Sequence, residues 1–243
     1  LAGDTTIVSI GDIFGISRPL GLSFLAIPFS IIAIIGIINA FNMIDGHDGL
    51  AGSVSVIGLL GLLLLSSFRA TPSDHQFILI MLLLAALVGV FLLFNLGLLG
   101  QKNQVFLGDA GSMLLGLVMV FLLIKFSQRE VPIVSAAAAP WIVGIPFLDL
   151  FSVVAFRLLS RTSPFNGDRN HLHHSLRALG LGKFKTLFIL VFAQIIFTMI
   201  GVLGTLLEWP DAILFWSLIP ILSLAIFVQH KAQRVSANLH NSA

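Results

Sequence analysis

The sequence predicts an all-α polytopic membrane protein, a helical bundle that crosses the bilayer about seven times. Of the 243 residues, 57% are hydrophobic and only 10% are charged, and the mean hydropathy is +1.05. A soluble domain carries about 25% charged residues, so this chain could not cover a water-exposed surface. Because lipid offers the backbone no hydrogen-bonding partner, each crossing must be helical. We expect one membrane domain over residues 1–243.

The elements follow in order along the chain. Residues 5–16 alternate weakly and predict a short extracytoplasmic strand or hairpin near the N-terminus. A bilayer core about 30 Å thick requires about 20 mainly apolar residues for each helical crossing. The stretches that meet this requirement are Leu20–Asn39, Leu50–Phe68, Phe77–Leu99, Ala110–Phe126, Pro132–Leu159, Thr186–Leu207 and Ala212–Val228. Pro140 and Pro146 should bend the fifth and longest of them.

Basic residues indicate how the crossings are oriented. With the N-terminus outside and the C-terminus inside, most of the 13 Lys and Arg residues fall in cytoplasmic segments, as the positive-inside rule requires. This orientation predicts cytoplasmic loops near residues 40–49, 100–109 and 160–185. A net charge of +2 is too small to indicate a nucleic-acid partner, and the lack of cysteine excludes a disulfide scaffold or thiolate metal site.

Six of the seven histidines lie on the cytoplasmic side of this topology, together with Asp45, Asp48, Asp109, Asp149 and Asp168, and these acids are mostly at the ends of the crossings. A proton or ion pathway would place its acids near the middle of the membrane, facing the bundle interior. The distribution therefore favours a site at the membrane–water boundary, where an aqueous reactant can meet a lipid.

The first polar segment covers residues 39–52. Asn39, Asn42, Asp45 and Asp48 recur every third residue, so neighbours lie close together on a helix face. A glycine follows each of the two acids and allows a break in the helix. Oxygen ligands of this type suit a hard cation such as Mg²⁺. The alternative is a polar helix end with turn-forming Asp-Gly pairs.

The second segment, residues 105–112, leads directly into the fourth crossing. Asp109 lies where a helix N-cap is expected, and capping alone could explain it. The same helix start also favours phosphate binding through its free N–H groups.

The third segment, residues 163–174, contains His171, His173 and His174 beside Arg169 in a basic loop. Three histidines could bind zinc, but no cysteine or well-placed further protein ligand accompanies them. Imidazoles and a guanidinium fit the binding of a diphosphate better, because they donate to its oxygens. A solvated loop without function is the other alternative.

Together the three segments resemble those of the polyprenyl-phosphate N-acetylhexosamine-1-phosphate transferases, the WecA/MraY type. Residues 39–49 match an Asn-rich signature that ends in Asp-Gly-x-Asp-Gly, and residues 105–112 match Phe-x-Gly-Asp-x-Gly-Ser. Residues 163–174 are similar to the His motif of the branch that uses UDP-N-acetylglucosamine. The similarity extends over residues 20–230.

The resemblance implies a multi-pass enzyme of the bacterial inner membrane with its active site on the cytoplasmic face. Such an enzyme moves a sugar 1-phosphate from a UDP-sugar to a polyprenyl phosphate and releases UMP, in the synthesis of cell-envelope polysaccharides such as lipopolysaccharide. The cofactor it implies is Mg²⁺, with Mn²⁺ as an alternative. A homodimer is left open.

The resemblance also implies roles for single residues. Asn42 and Asp109 hold the metal, and Asp45, Asp48 and Asp109 form the catalytic group. The positions matched to substrate binding are Asn39, Asn95, Phe106, Arg169, His171, His173 and His174. Among these, Phe106 stacks on the uracil ring, Asn95 is a pocket amide, and the basic residues bind the diphosphate. Asp149 is a supporting acid near the site.

Two features depart from the family pattern. His47 stands where an aliphatic residue is usual, and it is either neutral or an added titratable group beside the acids. The family's upstream Asp-Asp-x-x-Asp motif does not occur in this sequence, which starts at Leu1. We therefore expect the C-terminal portion of a longer transferase, with an incomplete active site.

Two rival functions remain at this point. A divalent-metal transporter would use the same Asp and His residues along a path through the membrane, although Ser53, Ser55, Gln194 and Thr198 form no evident track. An inactive fragment or assembly subunit would explain the missing acidic motif.

Overall fold

The computed structural model describes residues 5–161, 163 and 171–241, and most of this part of the chain is helical. It contains no regular strand in the described ranges, which confirms the all-α class. The helices are α1 (Ala26–Ile44), α2 (Leu50–Arg69), α3 (His75–Asn95), α4 (Gly108–Ser127), α5 (Ala139–Ile142), α6 (Gly144–Leu159), α7 (Leu172–Ala178), α8 (Lys183–Leu206), α9 (Asp211–Trp216) and α10 (Leu218–Asn241). Short 3₁₀ turns occupy Ser23–Leu25, Pro72–Asp74 and Gln101–Asn103.

Six helical segments of the described chain are long and apolar enough to cross a membrane. They correspond to six of the predicted crossings. Their bounds are Ser23–Ile44, Leu50–Arg69, Pro72–Asn95, Gly108–Ser127, Lys183–Leu206 and Asp211–Val235. The protein is therefore a polytopic membrane protein.

The predicted fifth crossing is not one continuous helix, because α5 and α6 are separated by a break at Val143. Pro146 has no N–H, so it cannot donate to the carbonyl of Ile142 four residues earlier. The side chain of Gln194 on α8 donates to that carbonyl instead (2.9 Å), and its own oxygen accepts from the Ile145 N–H (2.9 Å). One amide thus satisfies both sides of the break.

The broken segment still runs from one end of the bundle to the other. At its start, the Ile133 N–H donates to the Phe126 carbonyl, and the Ser135 hydroxyl donates to Asp211 at the beginning of α9. Beyond its end, His171 and Leu172 contact Asp149 at the opposite end of the bundle. The segment therefore crosses the bundle as two consecutive helices, α5 and α6.

The N-terminal segment covers the end of the bundle that contains the start of α9. Its backbone pairs with itself through a single antiparallel bridge between Ser9 and Gly21, which is a hairpin-like contact and not a strand. The side chain of Gln128 accepts from the Ser9 N–H, and Asp211 accepts from the Asp12 N–H. This segment is thus fixed at the far end from the acidic residues that follow α1.

Small residues set the distance between the helices that carry the polar segments. In α4, a Cβ added at Gly116 would lie 2.9 Å from the Ile38 Cα and 3.1 Å from the Phe41 Cβ of α1. Glycine at such a contact lets two helix backbones approach closely. This approach brings the C-terminal end of α1 beside the N-terminal end of α4.

Candidate active site at one end of the bundle

The first polar segment forms a tight turn between α1 and α2. Gly49 has a φ of +82°, a left-handed conformation that favours glycine. A Cβ at this position would also clash with the Leu96 side chain, which would have to move. The turn places Asp45 and Asp48 at the rim of the bundle.

Asn42 and Asp109 join the first and second polar segments directly. The Asn42 Nδ2 donates to the Asp109 Oδ1 (3.1 Å) and to the Ser112 Oγ (3.1 Å). The N-cap of α4 is Leu107, and no side chain caps this helix. Capping therefore does not explain Asp109, whose exposed carboxylate lies in the first turn and is held by an amide from another helix.

Asp45 lies in a cluster of negative charge. Burial, followed by the charges of Asp109 and Asp48, raises the pKa of Asp45 to about 6. The charges of Asp109 and Asp48 thus disfavour ionisation of Asp45, and a cation bound between these carboxylates would be stabilised.

The donor set of this cluster fits Mg²⁺. Within the described ranges, no three His, Asp or Glu side chains are arranged to chelate one metal ion. Mg²⁺ does not require such a cage, because it keeps several waters and binds through one or two carboxylates together with substrate phosphates. Asp109 with the carbonyl oxygen of Asn42 provides a set of that kind.

Asp48 has two partners that sequence reasoning did not single out. The Gln104 Nε2 donates to the Asp48 Oδ2 (3.1 Å), and the Lys183 Nζ forms an ion pair with the same oxygen. Lys183 begins α8 and lies 135 residues away in the sequence. In the sequence it is one of several basic residues before an apolar run, and no motif distinguishes it.

Asn95 was predicted to be a pocket amide, but both of its side-chain atoms bind the protein. Its Oδ1 accepts from the Gly49 N–H (2.6 Å), and its Nδ2 donates to the Val105 carbonyl (2.7 Å). Only 4% of the residue is exposed. In this structure Asn95 connects the turn after α1 with the loop before α4.

Two other predicted substrate-binding residues lie open at the same end of the bundle. Phe106 is 68% exposed in the loop that precedes α4, and Asn39 is exposed one turn before Asn42 on α1. The stacking of Phe106 on uracil stays a prediction.

The predicted diphosphate-binding histidines differ in their surroundings. His171 Nδ1 donates to the Asp149 Oδ2 (2.8 Å), and the Leu172 N–H donates to the other carboxylate oxygen (2.7 Å). Asp149 therefore anchors the start of α7. His174 is half-buried, with its ring 4.1 Å from that of His173. Arg169 lies outside the described residues.

His173 is only 2% exposed and packs below Gly46, where an added Cβ would lie 3.2 Å from its Nε2. Neither of its ring nitrogens has a hydrogen-bond partner in the described part of the chain, nor does the buried Nε2 of His47. Burial, followed by the charges of neighbouring basic groups, lowers the pKa of His173 to about 3. Burial also lowers the pKa of His47. Both rings are therefore neutral at physiological pH.

The structure thus brings the three polar segments together. Asn42 contacts Asp109, and the rings of His47 and His173 meet edge to face at 6.1 Å. Lys183 adds a fourth segment. The arrangement is a carboxylate cluster with a basic side chain and imidazoles at its edge, which is suited to a phosphate compound bound with a cation.

A protein-family comparison matches residues 1–127 to the model described as glycosyl transferase family 4. This range contains the first two polar segments and ends before the histidine segment.

Curated relatives carry the name undecaprenyl-phosphate alpha-N-acetylglucosaminyl 1-phosphate transferase. The relative from Yersinia pestis is 36% identical over 129 residues, which are 51% of this chain and 35% of the relative. That from Escherichia coli K12 is 32% identical over 57% of this chain and 37% of the relative. That from Pasteurella multocida is 32% identical over 63% of this chain and 43% of the relative. The matched part is thus less than half of each relative's length.

Proposed function

The chain belongs to glycosyl transferase family 4, and from this premise we propose that it takes part in transferring N-acetylglucosamine 1-phosphate from UDP-N-acetylglucosamine to undecaprenyl phosphate. The observation that carries the proposal is the hydrogen bond between Asn42 and Asp109, which joins the two family segments beside Asp45 and Asp48. The names of the relatives supply the sugar and the lipid.

In the proposed reaction an oxygen of the lipid phosphate attacks the β-phosphorus of the nucleotide sugar. A new phosphorus–oxygen bond forms, the bond to the UMP phosphate breaks, and UMP leaves. Bound Mg²⁺ supplies charge neutralisation at the diphosphate. Asn42 and Asp109 would hold the ion; Mn²⁺ has the same ligand preference.

The side chains of the chain itself position the reactants. Ser112 and Asp109 engage the amide nitrogen of Asn42, which leaves its carbonyl oxygen as the ligand atom. Asp45, with its pKa raised to about 6, is suited to accept a proton from the lipid phosphate, whose second pKa is about 6. Asp48 and His174 are the side chains that we propose to contact the nucleotide sugar.

We also propose that the site faces the cytoplasm of a bacterial inner membrane and serves envelope polysaccharide synthesis. The apolar helices and the relatives support a membrane setting. A UDP-sugar is a water-soluble substrate, and the acidic cluster lies at a bundle end where water and membrane meet.

A divalent-metal transporter is less well supported. Polar residues in the middle of the bundle are used by the protein: Gln194 binds the backbone at the helix break, and Ser55 donates to the Ala51 carbonyl. These side chains do not extend the acidic cluster into a path. The alternative of an inactive fragment is decided by an activity measurement.

The test is a transfer assay with labelled UDP-N-acetylglucosamine and undecaprenyl phosphate. We predict that Asp109→Asn lowers turnover by at least about 100-fold, because it removes a group that stabilises developing charge. Membrane insertion should be unchanged. Glu130→Gln, at an exposed acid on the opposite end, is the matched control. Full activity of Asp109→Asn, or no transfer by the unmodified protein, contradicts the proposal.

A further inference from the structure

Lys183 reaches the acidic cluster from a part of the chain outside the three polar segments. We propose that Lys183 binds a phosphate oxygen of the substrate and exchanges its ion pair with Asp48 for the arriving anion. This inference rests on the proposed function and deepens it. The shared chemistry is a phosphate oxygen, supplied either by the lipid phosphate or by the diphosphate of the nucleotide sugar.

The geometry of the ion pair makes the exchange accessible from water. The side chain of Lys183 is 47% exposed and that of Asp48 is 22% exposed. The lysine ammonium is a compact charge with three donors on a flexible four-carbon chain. It can therefore turn from Asp48 towards a neighbouring anion without movement of α8.

Asp48 keeps a partner when the lysine leaves. The Gln104 Nε2 donates to the same carboxylate oxygen at 3.1 Å, and it also donates to the Asn95 carbonyl at 2.9 Å. Gln104 is thus fixed by the backbone on one side and supports Asp48 on the other. The Asp48 carboxylate therefore keeps the Gln104 hydrogen bond when Lys183 turns towards the phosphate.

The local charge also requires a cation at this place. Asp48 and Asp109 both act electrostatically on Asp45, and this negative cluster would repel a phosphate that approaches without a neutralising group. Lys183 and Arg177 both act electrostatically on His47, which places these two cations close to His47. Of the two, Lys183 directly contacts a carboxylate of the cluster.

A matched control lies on the same helix. Lys185 lines a cavity of about 380 Å³ together with Leu181, Phe184, Phe188 and Ile189. Thr186 and Leu190, which share the helix face of Lys183, are buried, whereas Phe184, Phe188 and Ile189 of the cavity are exposed on the outer face of α8. Lys185 therefore has a similar charge and sequence position but faces away from Asp48.

The first measurement is kinetic. Lys183→Met should raise the KM for one phosphate substrate by at least about tenfold, the loss expected for one charge-assisted hydrogen bond. Lys183→Arg, which keeps the charge, should recover most of this loss, and Lys185→Met should behave like the unmodified protein. The substrate whose KM rises identifies the source of the phosphate. A structural ion pair alone would lower kcat and thermal stability with both KM values unchanged, and that result overturns the inference.

The second measurement needs no variant. Acetylation of lysines by an N-hydroxysuccinimide ester, read by mass spectrometry, should fall severalfold at Lys183 when UDP-N-acetylglucosamine or undecaprenyl phosphate is added with Mg²⁺. Lys185 should keep its labelling. Unchanged labelling of Lys183 with both ligands overturns the role of Lys183, whether or not the protein turns over. Absence of transfer by the unmodified protein counts separately against the proposed function.

Discussion

At the scale of the residue, the side chains around the acidic cluster differ in how much of their hydrogen-bonding capacity the protein itself uses. Both side-chain amide atoms of Asn95 form hydrogen bonds with backbone groups of two loops. The Asn42 nitrogen forms hydrogen bonds with protein side chains, and we propose its carbonyl oxygen as a metal ligand. His171 is committed to Asp149, and the nitrogens of buried His173 meet no partner in the described chain. Residues of the same type in one site thus differ in whether their polar atoms form hydrogen bonds within the described part of the protein.

The structural role of Asn95 can be tested by measuring the thermal stability of a variant. Asn95→Ala should lower the melting temperature in detergent, because the Gly49 N–H and the Val105 carbonyl each lose a partner, at about 1–3 kcal/mol for each group. The control is Asn103→Ala, since Asn103 is exposed and bonds the carbonyl of Leu99. If Asn95 were a pocket amide, the variant would lose affinity for UMP and keep its melting temperature.

His173 should make the protein sensitive to acid. Its pKa in the folded protein is about 3, below the ordinary value of 6.5, so the unfolded chain binds the proton more readily in this range. Stability contributed by the neutral ring is present above pH 6.5 and is lost as the pH falls from 6.5 towards 3. His173→Phe should therefore reduce the drop in melting temperature over this interval.

The matched control for this prediction is His75→Phe, at an exposed histidine that begins α3 on the other end of the bundle. It should leave the pH dependence of melting unchanged. An identical pH slope for the unmodified protein and His173→Phe would contradict the assignment of a buried neutral ring.

At the scale of the element, the contact between α1 and α4 determines whether the first two polar segments meet. Gly116 sits against the backbone of α1 near Ile38, about two helical turns along α4 from Asp109. The close approach brings Asn42 within hydrogen-bonding distance of Asp109. Packing in the apolar part of the bundle thus controls distances at its polar end.

Gly116→Ala should push the two helices apart, because the added Cβ would lie 2.9 Å from a backbone carbon of α1. We expect a loss of about 1–3 kcal/mol from overpacking, together with reduced transfer activity. Gly89→Ala in α3 is the control, since a Cβ there has no neighbour within 4 Å. Thermal melting and the transfer assay on both variants check this. Equal behaviour of the two variants would show that the α1–α4 contact does not position the site.

At the scale of the whole molecule, the basic residues divide between the two ends of the bundle. Among the described residues, the basic side chains at the end of the acidic cluster are Lys102, Arg157, Arg161, Arg177, Lys183, Lys185, Lys231 and Arg234. The end covered by the N-terminal segment has Arg18, Arg69, Lys125 and Arg129. This distribution supports an orientation in which the cluster faces the cytoplasm.

The orientation can be measured with single cysteines, because the natural chain contains none. Asn103→Cys, in the exposed turn near the cluster, should react with a membrane-impermeant maleimide only from the cytoplasmic side. Ser73→Cys, in the exposed turn at the other end, should react only from outside. The reverse labelling pattern would contradict the proposed cytoplasmic site.

The sequence was sufficient to predict the class of fold and the meeting of the polar segments, since long apolar runs and polar residues at their ends are local signals. It predicted a bend in the fifth crossing from its prolines, but not a complete break at Val143 whose backbone groups are satisfied by the distant Gln194. It also missed Lys183, because an ion pair across 135 residues leaves no periodic trace. Asn95 was found by its type, but its contacts depend on tertiary structure.

The two hydrogen bonds that Gln194 forms with the backbone at the helix break have a consequence for biosynthesis. Ile145 leaves the ribosome 49 residues ahead of Gln194. The α5–α6 segment is therefore synthesised before the Gln194 side chain that forms hydrogen bonds with its backbone. During that interval a peptide N–H and the Ile142 carbonyl would face lipid, which cannot satisfy them. We expect the nascent α5–α6 segment to remain with the insertion machinery until α8 emerges, which makes the order of translation part of how this bundle is assembled.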